Sequence, residues 1–210
     1  MKALDALNIL NDLSASQQGF FTSAQAKSAG IDRLVLSRLE SHAQVERVMH
    51  GVYRSCAAPS FREEDVWAAW LALEPAVPAW NRSYDGTQGV ASHCTASWLL
   101  EIGELNPTPI TFTMSVRKQT RRSELRLVKA NIAACEVMLV AGIPVTKPSR
   151  TILDLLKDGE DLSLIAHVFK DATAIDKDIL SGEFAAKIDA YNVQYGLLRS
   201  DSLYERIADR

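Results

Sequence analysis

The chain has 210 residues, 47% of them hydrophobic, and a formal net charge of −3, values ordinary for a water-soluble globular protein of one large or two small domains. Three widely spaced cysteines (Cys56, Cys94, Cys135) argue against a disulfide framework or a zinc site and suit a reducing cytosol. No apolar run of about 18 residues and no basic-apolar-small leader pattern occurs, so a cytoplasmic protein without membrane contact is expected. Charge is unevenly spread. Residues 1–54 carry net +1 and residues 115–130 net +5, which leaves −9 for the remainder.

Residues 3–16 place Leu4, Leu7, Ile9, Leu10 and Leu13 at helical spacing, which predicts a first helix. Residues 17–19 form a turn. Thr22 or Ser23 is a hydroxyl N-cap for a short helix over residues 24–29, ended by Gly30. Asp32 caps a second helix over residues 33–42, with Ile31 packed inward. A turn of about four residues containing a glycine between two helices is the helix-turn-helix pattern. Residues 45–48 and 51–54 read as two short strands with Met49, His50 and Gly51 at the turn, the wing that follows such a pair.

The second helix has two faces. Val35, Leu36 and Leu39 fall at core spacing, while Arg33, Leu34, Ser37, Arg38 and Ser41 fall on the opposite side. Arginine grips guanine edges or phosphates, serine bonds to either, and leucine meets a thymine methyl. Lys27 on the first helix joins this set, and the wing adds Arg47, His50 and Arg54 for the backbone or the minor groove. Two readings stay open: a DNA-reading face, or an ordinary solvated surface.

The residues of 20–55 resemble the N-terminal domain of AbiEi-type antitoxins of bacterial abortive-infection toxin-antitoxin systems. The matching positions are Thr22, Ala26 and Gly30, then Leu36, Arg38 and Leu39, then Val45, Arg47, Val48, Gly51, Val52 and Tyr53. Ala43 stands where glycine is common, and Val45 where leucine is usual. The resemblance implies a type IV antitoxin active in phage defence. Such a protein represses its own operon by binding inverted repeats in double-stranded DNA. It also neutralises a cognate nucleotidyltransferase toxin, functionally rather than by a stable complex.

Ser60 and Glu63 form the pattern of a capping box for a helix ending near Glu74, with Val66, Trp67, Trp70, Leu71 and Leu73 at core spacing. This helix reads as the link between domains. Residues 75–89 are irregular and long for a loop, an insertion relative to the family. Residues 89–93 read as a strand and 95–105 as a helix. "VASHCTASWLLEIG" resembles a family segment. His93 lies there, and no serine, cysteine or carboxylate sits at a spacing that makes a dyad with it, so it reads as structural.

Residues 109–116 and 125–132 read as two strands of a hairpin bearing Arg117, Lys118, Arg121, Arg122, Arg126 and Lys129. This second basic surface is open to three readings: nucleic acid, a protein partner, or solvent. Residues 136–140 read as a further strand. In "AGIPVTKPSRTILDLL" Gly142, Pro144, Val145, Thr146, Pro148, Arg150, Thr151 and Asp154 resemble a family motif. Pro148 suits a first helical turn, and Arg150 pairs with Asp154 one turn on. Helical patterns follow at 161–171, 177–190 and 200–208, and the last sixty-one residues are net −4.

No phosphate-cradling glycine loop occurs, and no G-S followed by D-x-D, so the chain is not the toxin. Glu183 and Lys187 stand four apart in a helical stretch, the wrong arrangement for a metal-dependent nuclease. No catalysis, metal or cofactor is expected. The fold expectation is α+β, with a winged helix-turn-helix over residues 1–57 and a mixed α/β antitoxin-like domain with a small sheet over 58–210. The alternatives are a stand-alone winged-helix transcription factor without a toxin, or a degenerate nuclease.

Overall fold

A computed structural model describes residues 3–210 of the chain, so the first two residues of the expected N-terminal domain lie outside the described residues. The chain is a mixed α+β protein with two separate sheets. It divides into two compact units, Met1–Ser83 and Tyr84–Arg210, later in sequence than the expected 57/58 boundary. None of the helices among the described residues is long and apolar enough to cross a membrane.

The first unit contains α1 (Ala3–Ala15), β1 (Phe20–Thr22), α2 (Ser23–Ser28), α3 (Arg33–Ser41), β2 (Val45–Met49), β3 (Val52–Ser55) and α4 (Glu64–Leu73). Its strands form an antiparallel sheet in the order β1-β3-β2. The hairpin β2–β3 turns at His50 and Gly51, as expected. Strand β1 is additional to the two strands read from the sequence. Ala6 and Leu10 of α1, Ile31 before α3, Leu36 and Leu39 of α3, and Val45 and Tyr53 of the hairpin share one buried core.

Helix α4 packs on all three strands of this sheet, which is why it belongs to the first unit instead of linking two domains. Seven of its ten residues are buried, an apolar surface too wide for an exposed linker helix. The expected Ser60–Glu63 capping box is not formed: α4 has no side-chain cap bond, and Ser60 Oγ accepts from Arg54 instead. Trp67 donates to Gln17 O at 3.0 Å.

The irregular stretch after α4 begins as a strap, residues 75–83, fixed to the first unit. Arg82, 5% exposed, donates to the carbonyls of Trp70, Leu71 and Glu74 at 2.5, 2.9 and 2.8 Å. Those are the carbonyls a helix C-terminus leaves without partners. The guanidinium also lies 4.4 Å over the Trp70 ring. Burial lowers its pKa to about 10, with Glu74 opposing, so it stays charged at neutral pH. Buried Gln17 accepts from Ala79 N at 2.9 Å, and Gln25 donates to Val77 O at 3.3 Å.

The second unit carries β4 (Val90–Ala91), α5 (His93–Leu100), β5 (Ile110–Met114), β6 (Leu125–Lys129), β7 (Val137–Val140), β8 (Ile143–Thr146) and α6 (Pro148–Asp158). Then come α7 (Leu162–Ala172), α8 (Gly182–Asp189) and α9 (Leu203–Ala208). The sheet order is β6-β5-β4-β8-β7. Strands β7 and β8 form a hairpin across Ala141 and Gly142. The expected hairpin between the basic strands is not formed: β5 and β6 run parallel, Ile110 opposite Leu125 and Met114 opposite Lys129. The expected helix over 177–190 is interrupted at Ser181, which caps α8.

Candidate nucleic-acid interface

Local chemistry fixes the two helices of the first unit. Thr22 accepts from Gln25 N at 3.1 Å while Gln25 Oε1 accepts from Thr22 N at 2.9 Å, a reciprocal capping box. At the other end Gly30 has φ +81°, Ile31 N donates to Ala26 O, and Gly30 N donates to Lys27 O. That pairing closes the last turn and turns the chain. It delivers buried Ile31 to the core and Asp32 to the start of α3, where its carboxylate accepts from Val35 N at 2.8 Å. Helix α3 ends the same way, with Ala43 N bonded to Glu40 O and Gln44 N to Leu39 O. Here the left-handed residue is Ala43, φ +52°, at the position where the sequence departs from glycine.

This frame leaves Arg33, Leu34, Ser37, Arg38 and Ser41 exposed along one side of α3, with Leu34 at 60%. Leu36 and Leu39 are buried beneath. Ser41 Oγ donates to Arg38 O at 2.8 Å, a bond back onto its own helix. Beside the start of α3 the structure brings Lys27, Arg33, Arg47 and His50 around one cleft of about 500 Å3, with Ile31, Leu36 and Tyr53 in its wall. Arg47 donates to His50 Nδ1 at 2.6 Å, so this ring nitrogen is an acceptor and the guanidinium is held at the hairpin turn.

Arg54 is placed differently. Its guanidinium is taken by Glu46, Glu64 and Ser60 Oγ, and its side chain is 13% exposed. It braces β3 to β2 and to α4. The sequence pattern gave no sign of this, because Glu64 lies ten residues on in another element.

In the second unit Arg117, Lys118, Arg121 and Arg122 lie on the segment that returns from β5 to the start of parallel β6, and Arg126 and Lys129 lie on β6 itself. The surface holds two adjoining hollows, one lined by Arg117, Lys118 and Lys129, the other by Lys118 and Arg121. Leu127 lines both. Arg126 makes a two-pronged pair with Asp158 at 2.5 and 2.9 Å, so its charge is locally compensated.

His93 has neighbours that sequence spacing did not reveal. Ser92 Oγ lies 2.9 Å from its Nδ1, and Asp158 Oδ2 lies 3.5 Å from its Nε2, sixty-five residues along the chain. Thr113 donates to Ser92 Oγ at 2.8 Å. Ser92 is wholly buried and His93 is 2% exposed, so this hydroxyl meets no substrate from solvent. Burial lowers the His93 pKa, opposed by Asp154 and Asp158. Burial also pushes the neighbouring Cys94 thiol up to about 11, with Glu160 adding to it, which keeps it protonated. Arg150 pairs with Asp154 as expected, and with Glu136, each at 2.9 Å. Glu183 and Lys187 pair with each other at 2.7 Å on α8. No group of three or more His, Cys, Asp or Glu among the described residues could hold a metal ion.

Residues 8–55 match the model of a family described as "Transcriptional regulator, AbiEi antitoxin". That segment runs from within α1 to the end of β3, and it contains the helices and hairpin that carry the resemblance. No curated protein matches the chain in sequence. Among solved structures, the chain is similar to the crystal structure of the RV2827C protein from Mycobacterium tuberculosis. The TM-score is 0.53 at 11% identity, over 88% of this chain and 70% of that one. At this identity the likeness is one of fold.

Proposed function

We propose that the chain is a DNA-binding transcriptional regulator of the antitoxin type, with a winged helix-turn-helix in its first unit. One observation carries the reading. The segment that matches the regulator family builds an α3 whose outer side is unobstructed, flanked by a hairpin turn whose cations converge with those of α2 and α3. On this reading Arg33, Leu34, Ser37, Arg38 and Ser41 face base edges in the major groove, and Lys27, Arg47 and His50 hold the backbone. The cations Arg117, Lys118, Arg121, Arg122 and Lys129 add sequence-independent phosphate contacts. On this reading the chain represses its own operon at inverted repeats and its second unit neutralises a nucleotidyltransferase toxin; the family match, confined to residues 8–55, supports the regulator part. The cytoplasm is the compartment this implies.

The test is a gel shift of the full chain on its own upstream DNA, with excess non-specific competitor, at two salt concentrations. A specific shift that weakens with salt is expected. Arg38→Ala should cost about 1–3 kcal/mol and relax the sequence preference. Absence of a specific shift, or an Arg38→Ala variant with unchanged affinity and preference, overturns the assignment. A neighbouring nucleotidyltransferase gene, and rescue from its toxicity by this chain, separates an antitoxin from a stand-alone regulator.

A further inference from the structure

The sheet of the second unit ends in two unlike edges. Strand β6 is guarded by charge, with Arg126 and Lys129 among its five residues. Strand β7 reads Val137, Met138, Leu139, Val140, with no charge, no proline and no bulge in its pairing with β8. Those are the devices that keep an edge strand from pairing with another chain. Leu139 is 51% exposed and the other three are half-buried. The register fixes where the main-chain groups of β7 point. Lys147 N donates to Glu136 O at 2.8 Å, so this is a bonded pair of the ladder. Bonded and non-bonded pairs alternate between antiparallel strands. Met138 with Val145 and Val140 with Ile143 are therefore bonded pairs, and Val137 and Leu139 turn their N–H and C=O away from β8. Pro144 stands opposite Leu139, where β8 owes β7 no donor. Val137 N–H is taken by Ala134 O at the turn before the strand. Leu139 is thus the residue of β7 with both groups open, and among the described residues no further strand pairs with this edge.

We infer that β7 is the interface of a two-fold homodimer, in which the strand pairs antiparallel with β7 of a second copy about Leu139. The two Leu139 residues exchange both N–H···O=C bonds, Met138 of each copy faces Val140 of the other, and the two sheets become one. A second copy is the occupant that fits. It brings a strand of the same short length, and an uncharged strand offers a charged partner nothing to pair with. The charged residue at the start of the strand, Glu136, is bound to Arg150 and falls opposite Gly142 of the second copy, so no like charges meet. The assembly closes at two copies, because the far edge of each sheet is the guarded β6. A two-fold dimer is also the form that meets both halves of an inverted repeat, but the inference stands on the sheet edge and not on the DNA reading.

The full chain, without DNA, is followed by sedimentation velocity from low to high micromolar concentration. A reversible monomer–dimer equilibrium is expected. Leu139→Lys, which puts a guarding charge on the edge, should leave a monomer, and its urea midpoint should match that of the unmodified chain because Leu139 is exposed. A second measurement reads the geometry. With Cys56 and Cys135 replaced by serine, Leu139→Cys should form a disulfide-linked dimer on mild oxidation, since bonded partners in an antiparallel pair have Cα atoms about 5.5 Å apart, within disulfide reach. Leu198→Cys in the same background is the control for chance collision, because Leu198 is 71% exposed and lies outside the sheet. A chain that stays monomeric overturns the inference and leaves the edge to a strand of a different protein. A dimer that Leu139→Lys does not dissociate, or equal cross-linking of the two cysteine variants, overturns it as well. Species larger than a dimer that Leu139→Lys abolishes would overturn the closed two-fold pairing. None of these results bears on the gel shift, so the two readings fail separately.

Discussion

Arg47 and Arg54 stand on adjacent strands of one hairpin, and the structure gives them opposite tasks. Arg47 is exposed and its side chain reaches the hairpin turn. Arg54 is clamped between Glu46 and Glu64, whose side chains are 46% and 32% exposed. Arg47→Gln should remove one phosphate contact. The slope of log affinity against log salt then falls by about 0.9, with unfolding free energy changed by less than about 0.5 kcal/mol. Arg54→Gln leaves two carboxylates without their partner. Losing one member of a buried pair costs about 3–5 kcal/mol, but both carboxylates here reach water, so about 1–2 kcal/mol is expected. Its salt slope should match that of the unmodified protein. Fluorescence anisotropy on the upstream DNA at four salt concentrations gives the slopes, and urea unfolding gives the stabilities. An Arg54→Gln variant with the shallow slope and full stability would refute the division of roles.

Other perturbations separate further parts of the picture. Arg121→Ala with Arg122→Ala should weaken binding at every sequence and make the salt dependence shallower; an unchanged slope would remove the second unit from the DNA contacts. Ala43→Gly should stabilise the first unit. The left-handed conformation costs an alanine about 1–2 kcal/mol, and the greater freedom of unfolded glycine offsets about 0.5–1 of it, so a gain of about 0.5–1 kcal/mol in urea unfolding is expected. A loss instead would contradict the helix-end argument. His93 has a pKa lowered by burial, so the unfolded chain binds the proton better. Its contribution to stability is therefore full above pH 6.5 and is lost as pH falls below that value toward the folded pKa. His93→Gln should flatten the stability profile on the acid side of 6.5, and an unaltered profile would count against the buried neutral imidazole.

What could be read from the sequence was what is decided locally. A hydroxyl cap at Thr22 or Ser23, Gly30, Asp32 and the two short strands about a turn at Met49 to Gly51 all act within a few residues, and they located α2, α3 and the hairpin closely. Even the Ala43 departure was visible as a residue out of place. What escaped depends on distant partners. Strand β1 is three residues long and exists because β3 offers it an edge. The parallel pairing of β5 and β6 contradicts the usual inference from two nearby strands, since a connection of ten residues normally closes a hairpin. Asp158 meets His93 only because α6 packs against α5. The cleft beside Tyr53 needs three elements at once, and no spacing along the chain marks it.

Arg82 has a consequence for how this protein can be divided. Irregular sequence begins just after α4, and a cut there looks harmless from composition alone. Yet the guanidinium that closes α4 comes from beyond that point, as do the main-chain groups of Val77 and Ala79 that satisfy Gln25 and Gln17. A fragment cut at residue 57 or 74 would expose the underside of the sheet or uncap its covering helix. One ending at Ser83 keeps every one of these bonds, and it is the piece on which the proposed DNA-binding surface can be studied by itself.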